Sequence, residues 1–449
     1  MDIQFLLKLM NTLNQLRQHE GWTRLQLEKY QAESLRNLRK YTYARSPFYQ
    51  QFHKGLTDRP YQELPVLTKA MVMENFDKLV TDQSLRLEDV RAFAAQGQAG
   101  QRFLNRYWVN ATSGSSGQPG FFLFNQAEWL YVLASFARGQ EWSGMRINLT
   151  HRQRMATVAS ISPWHMSAQV AETVKSWWRP SLPLPASQPL QDTVKQLNEW
   201  QPEVLIAYAS MAGILAAEQL AGRLDIHPKV VYSASEVLTT QTRQRVREVW
   251  GDEPYNQYVA TEAAGIAAEH RVCRHMHFFE DLVIVEVVDD HNRPVPPGEF
   301  GAKILITNLF NRTQPLIRYE LNDSVRTVTE VHSCGLPFAV LDTIQGRVED
   351  ALHLPTVAGG RVVVQPLVFN RVMDIIPVAG WQVAQQPDDG LLVLLMGAHD
   401  GLADEALVDQ LAASLAQEGA RAPYITVQRV TTIPKSAAGK APLIKAYRQ

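Results

Sequence analysis

The chain opens with apolar side chains at three- and four-residue steps. Leu6, Leu7, Met10, Leu13 and Leu16 recur in this way, which predicts an amphipathic helix with one buried face. A second helical pattern runs from about Trp22 to Tyr43, and Ser46-Pro47 ends it. Two packing helices account for both patterns; a dimerisation arm is the alternative. From Trp108 to Val259 the period changes. Short β-branched runs (ATVASI, VLIAY, KVVYSAS) are separated by helical stretches at 190–200, 210–223 and 239–250. Such alternation predicts parallel strands covered by helices. From Leu282 to Val331 strands follow one another closely, as LVIVEVV, AKILITN and SVRTVTEV, with the turn-rich PVPPGEFG between the first two. The last hundred residues predict strand RVVV, helix LVFNRVMDII, strands WQVAQ and LLVLLM, helix LADEALVDQLAASLA and strand ITVQRV. That is the size of a small α+β domain. The expected fold class is therefore α/β. A large N-terminal domain of β-sheets with packed helices would span 1–345, with 1–43 as a helical arm. A small C-terminal α+β domain would span 346–449.

Composition narrows the function classes. At 449 residues the chain is too long for one core, in keeping with two domains. A net charge of -1 gives no overall basic field, so neither nucleic acid nor an anionic membrane is an expected partner. The run LLVLLM is far short of the roughly 20 apolar residues of a membrane span. Cys273 and Cys334 are the only cysteines, so no disulfide framework is expected. Lys8 interrupts the first apolar stretch and no small-residue cleavage site follows. The cytoplasm is the expected compartment.

Five segments carry candidate chemistry. In Thr112-Ser113-Gly114-Ser115-Ser116-Gly117-Gln118-Pro119-Gly120, glycines let backbone N–H groups crowd an anion and hydroxyls add donors. No GK[ST] closes it, so it is not a Walker loop, and a plain Ser/Gly loop is equally compatible. In Tyr255-Asn256-Gln257-Tyr258-Val259-Ala260-Thr261-Glu262, a hydroxyl and a carboxylate suit magnesium beside nucleotide phosphates. The alternative is a helix N-cap followed by a first-turn acid. In Gln314 to Asp323 the terminal Asp would accept ribose hydroxyls, or be a turn residue in Asn-Asp-Ser. Gly346-Arg347-Val348-Glu349-Asp350 falls at the expected domain boundary, as a hinge or an ordinary linker. Lys435-Ser436-Ala437-Ala438-Gly439-Lys440 puts a lysine on a glycine-containing loop, where it would reach a distant phosphate or carboxylate or remain a solvated charge.

The order of these five segments resembles that of the adenylate-forming superfamily, which includes acyl-CoA synthetases, luciferases and peptide-synthetase adenylation domains. Arg45-Ser46-Pro47-Phe48-Tyr49, Leu64-Pro65-Val66-Leu67-Thr68-Lys69, Ser233-Ala234-Ser235-Glu236 and Gln314 to Asp323 are most similar to the phenylacetate–CoA ligase-like group. The resemblance covers nearly the whole chain. It implies a C-terminal lid that swings about a hinge, and two half-reactions. A carboxylic acid, aromatic or arylacetic by similarity, and ATP give acyl-AMP and pyrophosphate. A nucleophile, usually coenzyme A, then takes the acyl group. By position, Thr112, Ser113, Gly114, Ser115, Ser116 and Gly117 would wrap the pyrophosphate end of ATP. Thr261 would contact the α-phosphate and Glu262 would hold Mg2+. Asp323 would bind the ribose with Arg347 near it, Glu349 would pivot the lid with Asp350 as alternate, and Lys440 would bridge carboxylate and α-phosphate. Ser235, Glu236, Asn256, Tyr258, Val259, Ala260 and Gly265 would line the adenine or acyl pocket.

The chain departs from the resemblance at two points. Gly120 stands where many superfamily members have Lys, and Asn256 follows Tyr255 where Gly is common. The first removes a charge from the phosphate loop and is expected to cost rate; the second implies a rearranged pocket. A second cluster, His270, Cys273, His275 and His277, is followed by His332-Ser333-Cys334-Gly335, where relatives often have Cys-x-Cys-Gly. Cys273, His277, His332 and Cys334 would make a structural Zn2+ site; two buried thiols among surface histidines are the metal-free alternative. Three other outcomes stay open: transfer to an amine, a hydroxyl or a carrier-protein thiol; a non-catalytic acyl- or nucleotide-binding protein; and a homodimer.

Overall fold

The computed structural model describes residues 3–98, 100–112, 119–145, 153–160, 162–175, 180–329, 333–347, 350–398, 403–422, 424–436 and 439–447. Among them, nine strands form the principal sheet. Its spatial order is Asp323–Val328, Val340–Arg347, Met276–Phe278, Ala264–Glu269, Tyr255–Ala260, Val230–Ala234, Val204–Tyr208, Met155–Ala159 and Ser181–Pro185. The last five run parallel and carry the predicted β/α alternation, with helices Leu190–Trp200, Ala209–Leu220 and Thr240–Trp250 as crossovers. The first four pair antiparallel, and so do Ala264–Glu269 and Tyr255–Ala260. Of the close-spaced strands after Leu282, Val283–Val288 and Lys303–Asn308 form a separate antiparallel sheet with Tyr319–Leu321, and only Asp323–Val328 joins the principal one. The edge strand Ser181–Pro185 reads SLPLP and lies parallel to Met155–Ala159. At the opposite edge, Gly298 and Gly301 amides donate to Thr327 and Val325 carbonyls.

The two N-terminal helices are Ile3–Glu20 and Arg24–Arg45. Thr23 starts the second through a capping box with Gln26, and Ser46 caps the short helix Pro47–Phe52 that follows. The first helix buries a different stripe from the one its sequence suggests. Phe5, Leu9, Leu13 and Leu16 face the body, whereas Leu6, Leu7 and Met10 are exposed. Polar anchors fix that rotation. His19 Nδ1 lies 2.7 Å from Asp281 Oδ2, and Arg138 grips the same carboxylate at 2.7 Å with both terminal nitrogens while donating to the Leu16 carbonyl. Asp281 is fully buried; Arg138 and His19 hold its carboxyl down at about 2 against the upward push of burial.

The chain after Asp350 builds its own sheets and its own apolar core. A four-stranded sheet runs Ile425–Val430, Leu391–Met396, Gly380–Gln385, Ile444–Lys445, with helices Pro366–Met373 and Asp404–Gln417 packed on it. The strand Val340–Arg347 stays in the principal sheet, so the C-terminal unit begins just past it. Leu394, Met396, Ile433 and Ala441 of this unit pack against body residues such as Leu184, Tyr208 and Ile214. No helix among the described residues is long and apolar enough to cross a membrane.

Candidate active site

A cavity of about 750 Å³ opens between the principal sheet and the C-terminal unit. Lining side chains come from the C-terminal ends of the parallel strands, where loops leave an open α/β sheet and ligands characteristically bind. Thr112, Ser235, Glu236, Asn256, Tyr258, Val259, Ala260, Thr261, Glu262, Asp323, Arg347, Asp350 and Lys440 all face this cavity. Gly265 does not. A Cβ there would stand 2.8 Å from the Phe279 ring and 2.9 Å from Ser135 Oγ, so this glycine seats helix Gln126–Trp142 against the sheet. Ser113, Gly114, Ser115, Ser116, Gly117, Glu349 and His332 lie outside the described residues.

The neck of the first loop is tied from both sides. The Thr112 amide donates to the Gly120 carbonyl at 3.0 Å, and the Gly120 amide donates to Thr112 Oγ1 at 2.8 Å. Gly120 has a packing reason to be glycine: an added Cβ would meet Phe122 at 3.0 Å and Lys69 Cε at 3.1 Å. Lys69, at the start of helix Lys69–Glu74, therefore brings a cation from elsewhere in the chain to the place where the loop itself lacks one. The absence of a loop lysine is visible in the sequence; this neighbour is not, although Lys69 ends the segment Leu64-Pro65-Val66-Leu67-Thr68-Lys69.

Thr261 and Glu262 occupy a tight turn between strands Tyr255–Ala260 and Ala264–Glu269, not a helix start. Glu262 is buried, with Tyr319 donating to its Oε1 at 3.2 Å. Burial raises its carboxyl above the usual range, against the pull of Arg347 and Tyr319. Tyr258 donates to Asp323 Oδ2 at 2.6 Å, and the other Asp323 oxygen lies 3.7 Å from Arg347 Nε. Asp323 and Arg347 are directly opposite in adjacent strands, so sheet register sets their distance.

The C-terminal loop enters from the opposite wall. The Ser436 amide donates to the Lys440 carbonyl and the Gly439 amide to the Ser436 carbonyl, each at 2.8 Å. Gly439 has φ +77°, and a Cβ there would meet Ala186 and Ser187 at 2.8 Å; only glycine lets the loop come this close to the body. Lys435 donates to the Ala186 carbonyl at 2.7 Å. Lys440 is half-buried, with its ammonium 5.6 Å from the Tyr208 ring centre. Burial and Arg347 lower its pKa; Glu236, Asp323 and Asp350 act against that. Glu236, expected simply to line the pocket, also joins the two units. Its Oε2 accepts from the Ser210 amide at 2.9 Å and its Oε1 from the Ala441 amide at 3.1 Å. Burial raises its pKa, and Ser210, Lys440 and Ala441 oppose the rise. His165 and Tyr208 are further lining residues that no sequence signal marked; burial and the Lys440 charge depress the His165 pKa. Phe136, Met155, Met166, Val170, Ile206 and Tyr232 supply an apolar stretch of the lining, with Gln140 and Thr157 among them.

No protein-family model matches the chain. The phenylacetate–coenzyme A ligase of Thermus thermophilus is 24% identical over 346 residues, which cover 74% of this chain and 73% of that one. Among solved structures, 2-hydroxyisobutyryl-CoA ligase in the postadenylation state, in complex with R3-HIB-AMP, aligns at a TM-score of 0.75 and 19% identity. The alignment covers 96% of this chain and 92% of that one. The same ligase with 2-HIB-AMP and CoA in its thioesterification state aligns at 0.60 and 18% identity, over 96% and 92%. The chain has the fold of the adenylate-forming enzymes.

Proposed function

We propose that the protein activates a carboxylic acid with ATP as an acyl-adenylate, releases pyrophosphate, and passes the acyl group to coenzyme A. The observation that carries this reading is the convergence of Lys440, Glu262, Asp323, Arg347 and the Thr112–Gly120 neck on one cavity. Residues more than 300 positions apart in sequence meet there.

In the first half-reaction an oxygen of the substrate carboxylate attacks the α-phosphorus, and the bond from that phosphorus to the β-phosphate bridging oxygen breaks. Lys440 would face the developing negative charge from the cavity wall, where a fixed cation stabilises it. Asp323 would accept from the ribose hydroxyls, held for this by Tyr258. Thr112 and Lys69 would take the departing pyrophosphate. Glu262 and Thr261 offer the hard oxygen donors that Mg2+ prefers, and an incompletely compensated buried carboxylate fits a cation; the ion would neutralise phosphate charge. In the second half-reaction the thiolate of coenzyme A attacks the acyl carbon and AMP leaves. Lys440 has no role there, so the C-terminal unit is free to turn as a lid about the segment holding Glu349 and Asp350. The better alignment with the postadenylation state supports the present arrangement as the adenylating one. The apolar, partly aromatic lining with Gln140 and Thr157 supports a compact aromatic or arylacetic acid.

ATP–pyrophosphate exchange with Mg2+ and a panel of aryl, arylacetic and aliphatic acids, without coenzyme A, tests the reading. Acid-dependent exchange is expected, strongest with arylacetic acids. Folded protein that binds ATP yet exchanges with no acid would overturn it.

A further inference from the structure

Far from the cavity, the turn after strand Ala264–Glu269 carries His270 and Cys273, and the next strand carries His277. Cys334 arrives from the connection between Asp323–Val328 and Val340–Arg347. Donor atoms of His270, Cys273 and Cys334 lie within 4.8 Å of one another. His277 Nε2 lies 3.3 Å from Cys273 Sγ and 3.3 Å from Cys334 Sγ. We propose that His270, Cys273, His277 and Cys334 form a tetrahedral structural zinc site.

Geometry and donor chemistry agree on this. Zinc bonds of about 2.3 Å to sulfur and about 2.0 Å to nitrogen, at tetrahedral angles, put neighbouring donors roughly 3.3–3.8 Å apart. The two His277 contacts fall at the lower end of that span. The tautomer points the same way, independently of the clustering. His277 Nδ1 stands 3.0 Å from the Phe338 carbonyl, which can only accept, so Nδ1 carries the proton. Nε2 is left with its lone pair toward both sulfurs, the state and backing partner typical of a ligating histidine. Two thiolates with two imidazoles select zinc over the hard cations that the cavity would take. On binding, each thiol loses its proton to solvent and the two thiolate charges offset those of the ion.

His332, named with Cys273, His277 and Cys334 from the sequence, lies outside the described residues; among the described residues His270 stands with the two cysteines and is taken as the second imidazole. The place of the cluster defines its role. Strand Met276–Phe278 pairs with Val340–Arg347 only through His277↔Val340 and Met276↔Leu341. A bound ion would staple this short seam from both sides. The strand begun at Val340 ends at Arg347 opposite Asp323, about 23 Å away at 3.3 Å per residue. The ion is thus too remote for the chemistry but braces the strand pair that presents Asp323 and Arg347.

The test uses full-length protein purified under reductant without added metal. Mass spectrometry of metals should find about one zinc per chain. Exchange into Co2+ should give intense tetrahedral visible bands with thiolate-to-cobalt charge transfer. Cys273→Ser and Cys334→Ser should each abolish the charge-transfer pattern of the wild type. His270→Ala should weaken cobalt affinity about tenfold or more, and His332→Ala should leave it unchanged. Wild-type folded protein that takes up neither ion, with both thiols freely titrating, would overturn the site; so would a Cys273–Cys334 disulfide persisting under that reductant. Loss of the cobalt bands in His332→Ala but not in His270→Ala would overturn the ligand assignment.

Discussion

Replacing Arg245 with Ala should unlatch the C-terminal unit and separate the two half-reactions. Arg245 lies on helix Thr240–Trp250 of the body, and its guanidinium donates to the carbonyls of Val378 and Ala379 in the C-terminal unit. Gln241 donates to the Ile376 carbonyl one turn earlier, and the Thr240 amide donates to Asp374 at 3.2 Å. The helix start thus reads a row of groups that follows helix Pro366–Met373. Hydrogen bonds from a charged donor contribute about 1.5–3 kcal/mol each. Burial of the guanidinium lowers its pKa, a sign of desolvation that offsets part of this gain. A net loss of about 1–2 kcal/mol remains for the variant, a shift of roughly 5- to 30-fold in the balance between lid positions. Arg245, Gln241 and Ala379 line the cavity, but these bonds engage none of Lys440, Glu262 or Asp323, and all of them must break if the lid turns. Acid-dependent ATP–pyrophosphate exchange should therefore fall about tenfold, while thioester formation from supplied acyl-adenylate and coenzyme A holds or rises. Parallel loss of both rates, or loss of neither, in protein with an unchanged melting temperature would refute the latch.

Lys440→Ala should lower exchange by about 10²–10³-fold yet spare thioester formation from preformed acyl-adenylate, read in the same two assays. In the wild type the reactive form is the ammonium, and its pKa is depressed. Exchange should accordingly decline with rising pH at values below lysine's usual 10.5, as a pH–rate profile would show. Tyr258→Phe frees Asp323 from its 2.6 Å donor and should raise KM for ATP several-fold with a smaller change in kcat, measured by steady-state kinetics. Arg138→Leu leaves Asp281 buried without its main partner and should cost about 3–5 kcal/mol, read by chemical denaturation. In the wild type the Asp281 pKa is depressed to about 2, so its contribution is complete above the ordinary aspartate range and is lost as pH falls toward 2.

The β/α alternation, the close-spaced strands and the C-terminal α+β unit were legible because each rests on a local period. What escaped the sequence rests on contacts across the chain. The first helix shows apolar residues on two adjacent stripes, and only the distant Asp281–Arg138 pair decides that Leu9 and not Leu6 turns inward. Strand Ser181–Pro185 was missed because two prolines in five residues argue against a strand unless it lies at an edge. Among the site residues, Asp323, Glu262 and Lys440 stand in ordered motifs and were readable. Glu236 was named, but its bond to Ala441 spans 205 positions and has no local signature. Lys69 replaces a missing loop lysine from a helix more than 40 residues earlier, a compensation only three-dimensional proximity reveals. Gly265 looked like a pocket glycine because it follows the Thr-Glu pair; it proved to be a packing glycine because its face of the sheet is turned to a helix.

The proline-bearing edge strand also bears on how copies of this protein can meet. The Ala186 amide donates inward to Ala159, so even-numbered amides of the strand face the neighbouring strand and odd-numbered positions face outward. Positions 183 and 185 are prolines, so of the outward row only Ser181 keeps an amide to offer a further strand. The opposite edge is occupied by the segment holding Gly298 and Gly301. A large parallel sheet is a template for strand addition, and here both of its rims are closed, one by chemistry and one by coverage. Self-association and aggregation are thereby steered away from extension of the principal sheet.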